Sequence, residues 1–164
     1  MCTVSVTAII PALNEEESIG QVLAAVPAGV VSEILVVDGG SSDSTVAVAQ
    51  AGGARVIHEP RRGYGRACAT GVAAARGDTV VFLDTDGADD PTQIPDLLAP
   101  LQGNRADMVL GSRLAGEIAP GAMPYHSSPK QAHCTSRIVG QYNKWPPNGQ
   151  IHTVEPMNQA QSRE

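Results

Sequence analysis

Short apolar runs alternate along this chain with stretches of helical period. Residues 4–10 are apolar and mostly β-branched, with Thr7 and Ala8 inside the run, and read as a first buried strand. Pro11-Ala12-Leu13-Asn14 then predicts a turn. Asn14 is placed as an N-cap with Glu17 three residues on, and Ile19, Val22, Leu23 and Val26 follow at helical spacing, so a helix is predicted over 15–26. Pro27 and Gly29 end it. A second strand over 34–37 ends at Asp38. Gly39-Gly40-Ser41-Ser42 turns the chain, and Asp43 is placed to cap a helix over 44–51. A short strand over 55–58 leads into the basic, glycine-containing loop Arg61-Arg62-Gly63-Tyr64-Gly65-Arg66, then into a small-residue helix over 67–75. A fourth strand covers 79–83. Asp90 and Pro91 open a further helix whose buried face is Ile94, Leu97, Leu98 and Leu101, and a fifth strand over 108–110 ends in Gly111-Ser112-Arg113. Strands alternating with helices predict an α/β fold: a mostly parallel sheet, right-handed crossovers and helices on both faces.

The pattern changes near residue 126. Residues 1–126 read as one domain, and 127–164, rich in Gln, Asn, Pro, Ser and His, read as an irregular or disordered tail. The break suggests an incomplete domain. His126, His133, Cys134 and His152 are irregularly spaced and read as solvated side chains rather than metal ligands.

Candidate chemistry centres on Val80-Val81-Phe82-Leu83-Asp84-Thr85-Asp86-Gly87, where an apolar run meets two carboxylates one residue apart. If extension continues through Thr85, Asp84 and Asp86 point the same way. Two carboxylates that close repel unless a cation lies between them, and oxygen-only ligands suit Mg²⁺ or Mn²⁺ shared with substrate phosphates. The plainer alternative is a solvated acidic turn. Every predicted strand ends in polar or turn residues: Asn14-Glu15, Asp38, the arginine loop, Asp84-Asp86 and Ser112-Arg113. In a parallel sheet these ends share the face where ligands bind. Asp38 suits either a nucleobase or ribose contact or a turn that bonds its own backbone. Glu15, Glu16 and Glu17 also suit one charged helix face. The arginines of the loop, and Arg113, match phosphate oxygens or a solvated surface equally well.

Composition narrows the classes. The chain has 164 residues, enough for one domain with a core, and is 42% hydrophobic but only 3% aromatic, so the core is aliphatic. A net charge of −6 argues against a nucleic-acid partner. Cys2, Cys68 and Cys134 lack metal-ligand spacing and suit reduced thiols in the cytoplasm, with Cys68 packed in a helix. No signal peptide or bilayer-length apolar run is present, which fits a cytoplasmic chain working in solution or peripherally at a membrane. No G-x-G-x-x-G follows the first strand, and no Walker A lysine motif occurs, so dinucleotide-binding and P-loop classes are excluded.

Five motifs in this order, Ile10-Pro11-Ala12-Leu13-Asn14-Glu15-Glu16, Val36 to Thr45 around Asp38-Gly39-Gly40, Gly63-Tyr64-Gly65-Arg66-Ala67, Phe82-Leu83-Asp84-Thr85-Asp86 and Gly111-Ser112-Arg113, resemble the nucleotide-binding part of family 2 glycosyltransferases of GT-A fold. The nearest likeness is to polyprenyl-phosphate sugar transferases such as dolichyl-phosphate mannose and glucose synthases. The resemblance implies an inverting transfer of a hexose from a UDP-glucose- or GDP-mannose-type donor to an acceptor such as a polyprenyl phosphate. It implies that Pro11, Leu13, Asn14, Glu15, Asp38, Gly65 and Thr85 bind the nucleotide. It implies that Asp84 and Asp86 hold Mg²⁺ or Mn²⁺, and that Arg113 approaches a phosphate. Three departures stand out: Gly39 occupies the place of a second Asp, Ala88 that of a Gln, and the family's second half is missing. Two further readings compete. Asp84-Thr85-Asp86-Gly87 also mimics the nucleophile motif of haloacid-dehalogenase phosphohydrolases, and the chain also suits an inactive remnant.

Overall fold

Strand β1 (Val6–Ala12) is buried almost throughout, and its alternating side chains divide the interior into two cores. Residues 5–86, 89–112 and 135–141 are described by the computed structural model. After β1 come α1 (Ile19–Ala25), β2 (Glu33–Asp38), α2 (Thr45–Ala51), β3 (Arg55–His58), α3 (Tyr64–Ala74), β4 (Thr79–Phe82), a 3-10 turn (Pro91–Gln93), α4 (Ile94–Gln102), β5 (Met108–Ser112) and β6 (Thr135–Gln141). They form one six-stranded sheet in the order β3-β2-β1-β4-β6-β5. The β1–β2, β1–β4 and β2–β3 pairs are parallel, and β6 runs antiparallel to both of its neighbours.

On one face of the sheet Val6, Ala8, Ile10, Val36 and Val81 pack with Ile19, Val22 and Leu23 of α1, Ala49 of α2, and Ile94, Leu98 and Leu101 of α4. On the other face Ile9, Leu35, Val37, Val80 and Phe82 pack against Ala67 of α3. Helices therefore cover both faces, as the alternation predicts. Each fully buried Ile, Leu or Val contributes about 1.5–3 kcal/mol of transfer free energy. That is why these unbroken apolar runs become strands. Gly71 of α3 sits directly over β1. A Cβ there would lie 2.4 Å from Ile9 Cγ2, so only glycine permits this approach.

Four elements differ from expectation. β1 runs through Pro11 and Ala12 rather than turning at them. Even-numbered residues of β1 bond towards β2, with Gly39 N–H donating to the Ala12 carbonyl, while odd ones face β4, whose last bond is Leu83 N–H to the Ile9 carbonyl. The N–H that Pro11 lacks would face a side where no ladder continues, so the proline is tolerated. α1 begins at Ile19, with Ser18 at its N-cap, and Asn14 is not the cap. α3 begins at Tyr64, so Tyr64, Gly65 and Arg66 belong to its first turn rather than to a loop. Finally, residues 135–141 form strand β6 where irregular chain is expected. Its place comes from the unpaired edges of β4 and β5, not from any period of its own.

Candidate nucleotide and metal site

In the observed strand order the chain leaves β1 towards β2 on one side and returns to β4 on the other. The crevice at such a switch point is where open α/β sheets bind ligands. A cavity of about 370 Å³ lies there. Its walls come from the C-terminal ends of four parallel strands: Pro11 and Ala12 at the end of β1 with Leu13 beyond it, Gly39 after β2, Glu59 after β3, and Asp84, Thr85 and Asp86 after β4. Glu15 and the stretch Arg61-Arg62-Gly63-Tyr64, with Ala67, complete it. Among the described residues the exposed large hydrophobic side chains are Leu13 and Tyr64, at 50% and 60%, and both line this cavity. Apolar surface left open at a concave site is surface kept for a ligand.

The acidic wall is held from behind. Burial alternates across Asp84, Thr85 and Asp86, with Thr85 the buried member, even though β4 itself stops at Phe82. The backbone N–H of Asp84 donates to Oδ2 of the buried Asp89 at 3.2 Å, which bends the chain back after the strand. The Tyr64 hydroxyl donates to Asp84 Oδ1 at 2.9 Å. Partial burial of the otherwise exposed side chain, the bond to Asp84 and its negative charge push the Tyr64 phenol above its ordinary value, so it stays a donor. Burial also raises the Cys68 thiol. Cys68 packs with the α3-side core as expected and is no thiolate nucleophile.

Opposite stands the arginine segment. Glu59 is 3% exposed and receives Arg61 in a fork: Nε to Oε1 and Nη2 to Oε2, each at 2.7 Å, with the Arg61 amide donating to Oε1 at 3.0 Å. Thr70 Oγ1 donates to the same carboxylate at 2.5 Å. These bonds, from Arg61 first and Thr70 second, hold the Glu59 carboxyl far below its ordinary value. Gly63, at φ 133°, turns the chain from this segment into α3, a conformation that side chains with Cβ rarely adopt.

The loops after β1 and β2 brace each other. Asn14, in left-handed conformation at φ 57°, accepts from the Ser42 amide at 2.9 Å and donates its own amide to Ser41 Oγ at 3.0 Å. The Glu15 amide donates to Thr45 Oγ1 at 2.7 Å, and Glu16 Oε2 accepts the Ser44 amide at 2.8 Å. Asp43 Oδ1 accepts the Thr45 amide at 3.0 Å, so it does cap α2, although Ser44 is the residue at the boundary.

Of the residues singled out from sequence, Pro11, Leu13, Glu15, Asp84, Thr85 and Asp86 meet in the cavity. Asn14 lies behind it as a brace. Gly65 lies in the first turn of α3, with open space around it, and does not line the cavity. Asp38 is 4% exposed. Its Oδ1 accepts the Ser41 amide at 3.0 Å, its Oδ2 accepts the Gly40 amide at 3.2 Å, and His58 Nδ1 lies 3.0 Å from Oδ2. Burial alone would raise its carboxyl, but the bonds from Ser41, His58 and Gly40 outweigh that and lower it. In this structure Asp38 holds its own turn. Arg113, Gly87, Ala88, Cys2, Cys134 and the three tail histidines lie outside the described residues. Glu59 belongs to no motif of the sequence: Arg61 lies only two residues away, but that Glu59 is buried and receives Thr70 from α3 follows from the fold.

The donor set fits a hard divalent cation. Asp84 and Asp86 offer carboxylate oxygens on one wall, and oxygen ligands of that kind suit Mg²⁺ or Mn²⁺; among the described residues no group of three His, Cys, Asp or Glu converges. The sequence profile described as "Glycosyl transferase family 2" matches residues 7–162. The chain belongs to glycosyl transferase family 2. An uncharacterized glycosyltransferase of Mycobacterium tuberculosis (strain ATCC 25618 / H37Rv) is 49% identical over 109 residues, covering 66% of this chain and 49% of that protein. Dodecaprenyl-phosphate galacturonate synthase of Rhizobium johnstonii is 33% identical over 117 residues, covering 64% of this chain and 35% of that protein. A crystal structure of glucosyl-3-phosphoglycerate synthase from M. tuberculosis, in complex with Mn²⁺, UDP and glucosyl-3-phosphoglycerate, matches with a TM-score of 0.66 at 30% identity, over 85% of this chain and 57% of that one. This family 2 chain thus spans about half the length of the first of these relatives. Membership overturns the phosphohydrolase reading, and so does position: the Asp84-Thr85-Asp86 turn follows β4, not the first strand. Among the described residues no helix is long and apolar enough to cross a membrane.

Proposed function

We propose that this chain forms the donor-binding part of a metal-dependent, inverting glycosyltransferase that moves a hexose from a UDP-glucose-type nucleotide sugar to a phosphate-bearing acceptor. The observation that carries this reading is the juxtaposition in one cavity of Asp84 and Asp86 with Arg61 and Arg62, under the exposed side chains of Leu13 and Tyr64. Leu13 and Tyr64 suit the flat faces of base and sugar. Asp84 and Asp86 would hold Mg²⁺ or Mn²⁺ against the diphosphate. When bound, the ion supplies charge neutralisation to the departing nucleoside diphosphate.

The chain's own residues supply the rest. Tyr64 donates to one oxygen of Asp84 and so fixes the carboxylate's rotamer while leaving its other oxygen open. Arg62 has no carboxylate partner among the described residues and suits a phosphate oxygen. α3 begins at the cavity, and the positive end of its dipole favours negative charge there. A phosphate acceptor is already anionic, so no strong general base is needed. The UDP named for the solved relative favours a uridine donor, and the polyprenyl-phosphate acceptor rests on the Rhizobium relative. Work at a membrane surface belongs to that acceptor. Arg113 remains the candidate for the acceptor phosphate.

Calorimetric titration of UDP and of GDP, each with and without Mn²⁺, tests the reading. The expected result is UDP binding that Mn²⁺ strengthens and that Asp84→Asn and Asp86→Asn each return to the metal-free level. Binding of neither nucleotide by folded protein overturns it.

A further inference from the structure

Glu59 is a buried carboxylate at the wall of the cavity, and family 2 membership does not by itself assign it a task. It accepts both ends of the Arg61 fork, the Arg61 amide and the Thr70 hydroxyl. Two of the five guanidinium N–H donors are used by the fork, and the other three are left for something else. Arg61 is otherwise open, its side chain 65% exposed, and it lines the cavity beside Arg62. A long side chain so exposed ordinarily samples many rotamers and loses that freedom on being fixed. Here the fixing is done before any ligand arrives, from a carboxylate itself anchored to α3 through Thr70.

The pair also has a particular charge. A guanidinium in a fork with a carboxylate has no net charge, so Arg61 offers directed hydrogen bonds without strong long-range attraction. Arg62 keeps its charge. The two adjacent arginines are therefore unlike: Arg61 is fixed in a pair that carries no net charge, and Arg62 has no carboxylate partner among the described residues.

We propose that Glu59 is a positioning residue: by clamping Arg61 it presents that guanidinium to the uncharged oxygens of the bound nucleotide, its base or ribose, and leaves recognition of the phosphates to Arg62. The inference rests on the nucleotide-binding reading given above. Glu59 touches no ligand in this scheme and acts only through Arg61.

The test measures UMP and UDP affinity, with Mn²⁺, for the wild type and for Glu59→Gln, Thr70→Val, Arg61→Ala, Arg62→Ala and the double variant Glu59→Gln/Arg61→Ala, with the fold of each checked by circular dichroism. A charge-assisted bond of about 1.5–3 kcal/mol corresponds to roughly a tenfold or greater change in Kd. Glu59→Gln and Arg61→Ala should each weaken UMP and UDP alike, by about tenfold. Thr70→Val should do so more weakly in the same direction. Arg62→Ala should weaken UDP more than UMP and flatten the salt dependence. In the Arg61→Ala background, Glu59→Gln should have no further effect on affinity, which a general structural role would not produce. Additive losses in the double variant, or a loss in Arg61→Ala confined to UDP, overturn the proposal. So does Thr70→Val or folded Glu59→Gln binding as the wild type does. If the wild type binds neither nucleotide, the donor-binding reading fails first, so the two failures are distinguishable.

Discussion

Gly71→Ala places one methyl group where α3 crosses β1. The new Cβ would stand 2.4 Å from Ile9 Cγ2, 3.1 Å from Val37 Cγ2 and 3.5 Å from Ile9 Cδ1. Carbon atoms in contact prefer about 3.5–4.0 Å, so the first of these overlaps by about 1 Å. Ile9 cannot turn away. It is fully buried, β-branched, and part of a strand bonded on both sides. The helix must lift instead. Overpacking a filled core costs about 1–3 kcal/mol, and an overlap with a fixed side chain belongs near the upper end. Alanine returns about 1 kcal/mol of helix propensity, so the expected net loss is about 2 kcal/mol. Urea unfolding measures it directly, and the midpoint of thermal unfolding should fall by roughly 4–8 °C. Gly65→Ala is the control in the same helix. Its Cβ meets nothing within 4 Å, so it should be neutral or gain up to about 1 kcal/mol. Because Tyr64 leads α3 and bonds Asp84, lifting the helix should also weaken metal-assisted UDP binding in Gly71→Ala alone. A Gly71→Ala protein as stable as the wild type would refute the packing argument.

Further outcomes follow from other contacts. The raised phenol of Tyr64 means that one of the chain's three tyrosines should resist ionisation at about pH 11, where an ordinary tyrosine has titrated; tyrosinate absorbance that is identical in titrations of wild type and Tyr64→Phe, once scaled for tyrosine count, would contradict it. The sign for stability follows: a raised acid contributes fully below its ordinary value of 10 and loses that contribution as pH climbs past it. Glu59 has the opposite sense, since its folded value is depressed. Its contribution is complete above the ordinary 4.5 and decays as pH falls, so Glu59→Gln should be less stable at neutral pH and show a shallower acid limb in urea midpoints measured against pH. Asn14→Ala removes the acceptor for the Ser42 amide and puts alanine at φ 57°, for a loss of about 1–2 kcal/mol in urea unfolding, whereas Asn14→Gly keeps the backbone and should lose less.

Much of the architecture is legible from local pattern. Runs such as Val80–Leu83 are too apolar to face water, so strands, order of elements and the shared ligand face follow from burial alone. Asp84 and Asp86 are legible for the same reason, because they interrupt such a run. What local pattern misses is settled by contacts distant in sequence. Asn14 has every mark of a helix cap, yet its amide and side chain go to Ser41 and Ser42, and the chain needs its tolerance of left-handed backbone. Pro11 reads as a turn until the pairing side of each β1 residue is known. Glu59 has no motif, and Asp38 presents the same sequence whether it bonds a base or its own turn.

β6 carries a consequence for how the chain is made. Among the described residues β5 is hydrogen-bonded to the sheet through β6, which follows it after 22 intervening residues and lies between it and β4. As the polypeptide leaves the ribosome, β1 to β4 can assemble in the order they emerge, with only short crossovers to close. β5 cannot follow them. It must wait, tethered by α4, until residues 135–141 are out, and then β4, β6 and β5 zip together in one step. At elongation rates of about 5–20 residues per second that delay lasts roughly a second or more, during which two open strand edges need protection from other nascent chains. The cavity, lined among the described residues by the ends of β1 to β4 and the segments beside them, can take shape before this closing event.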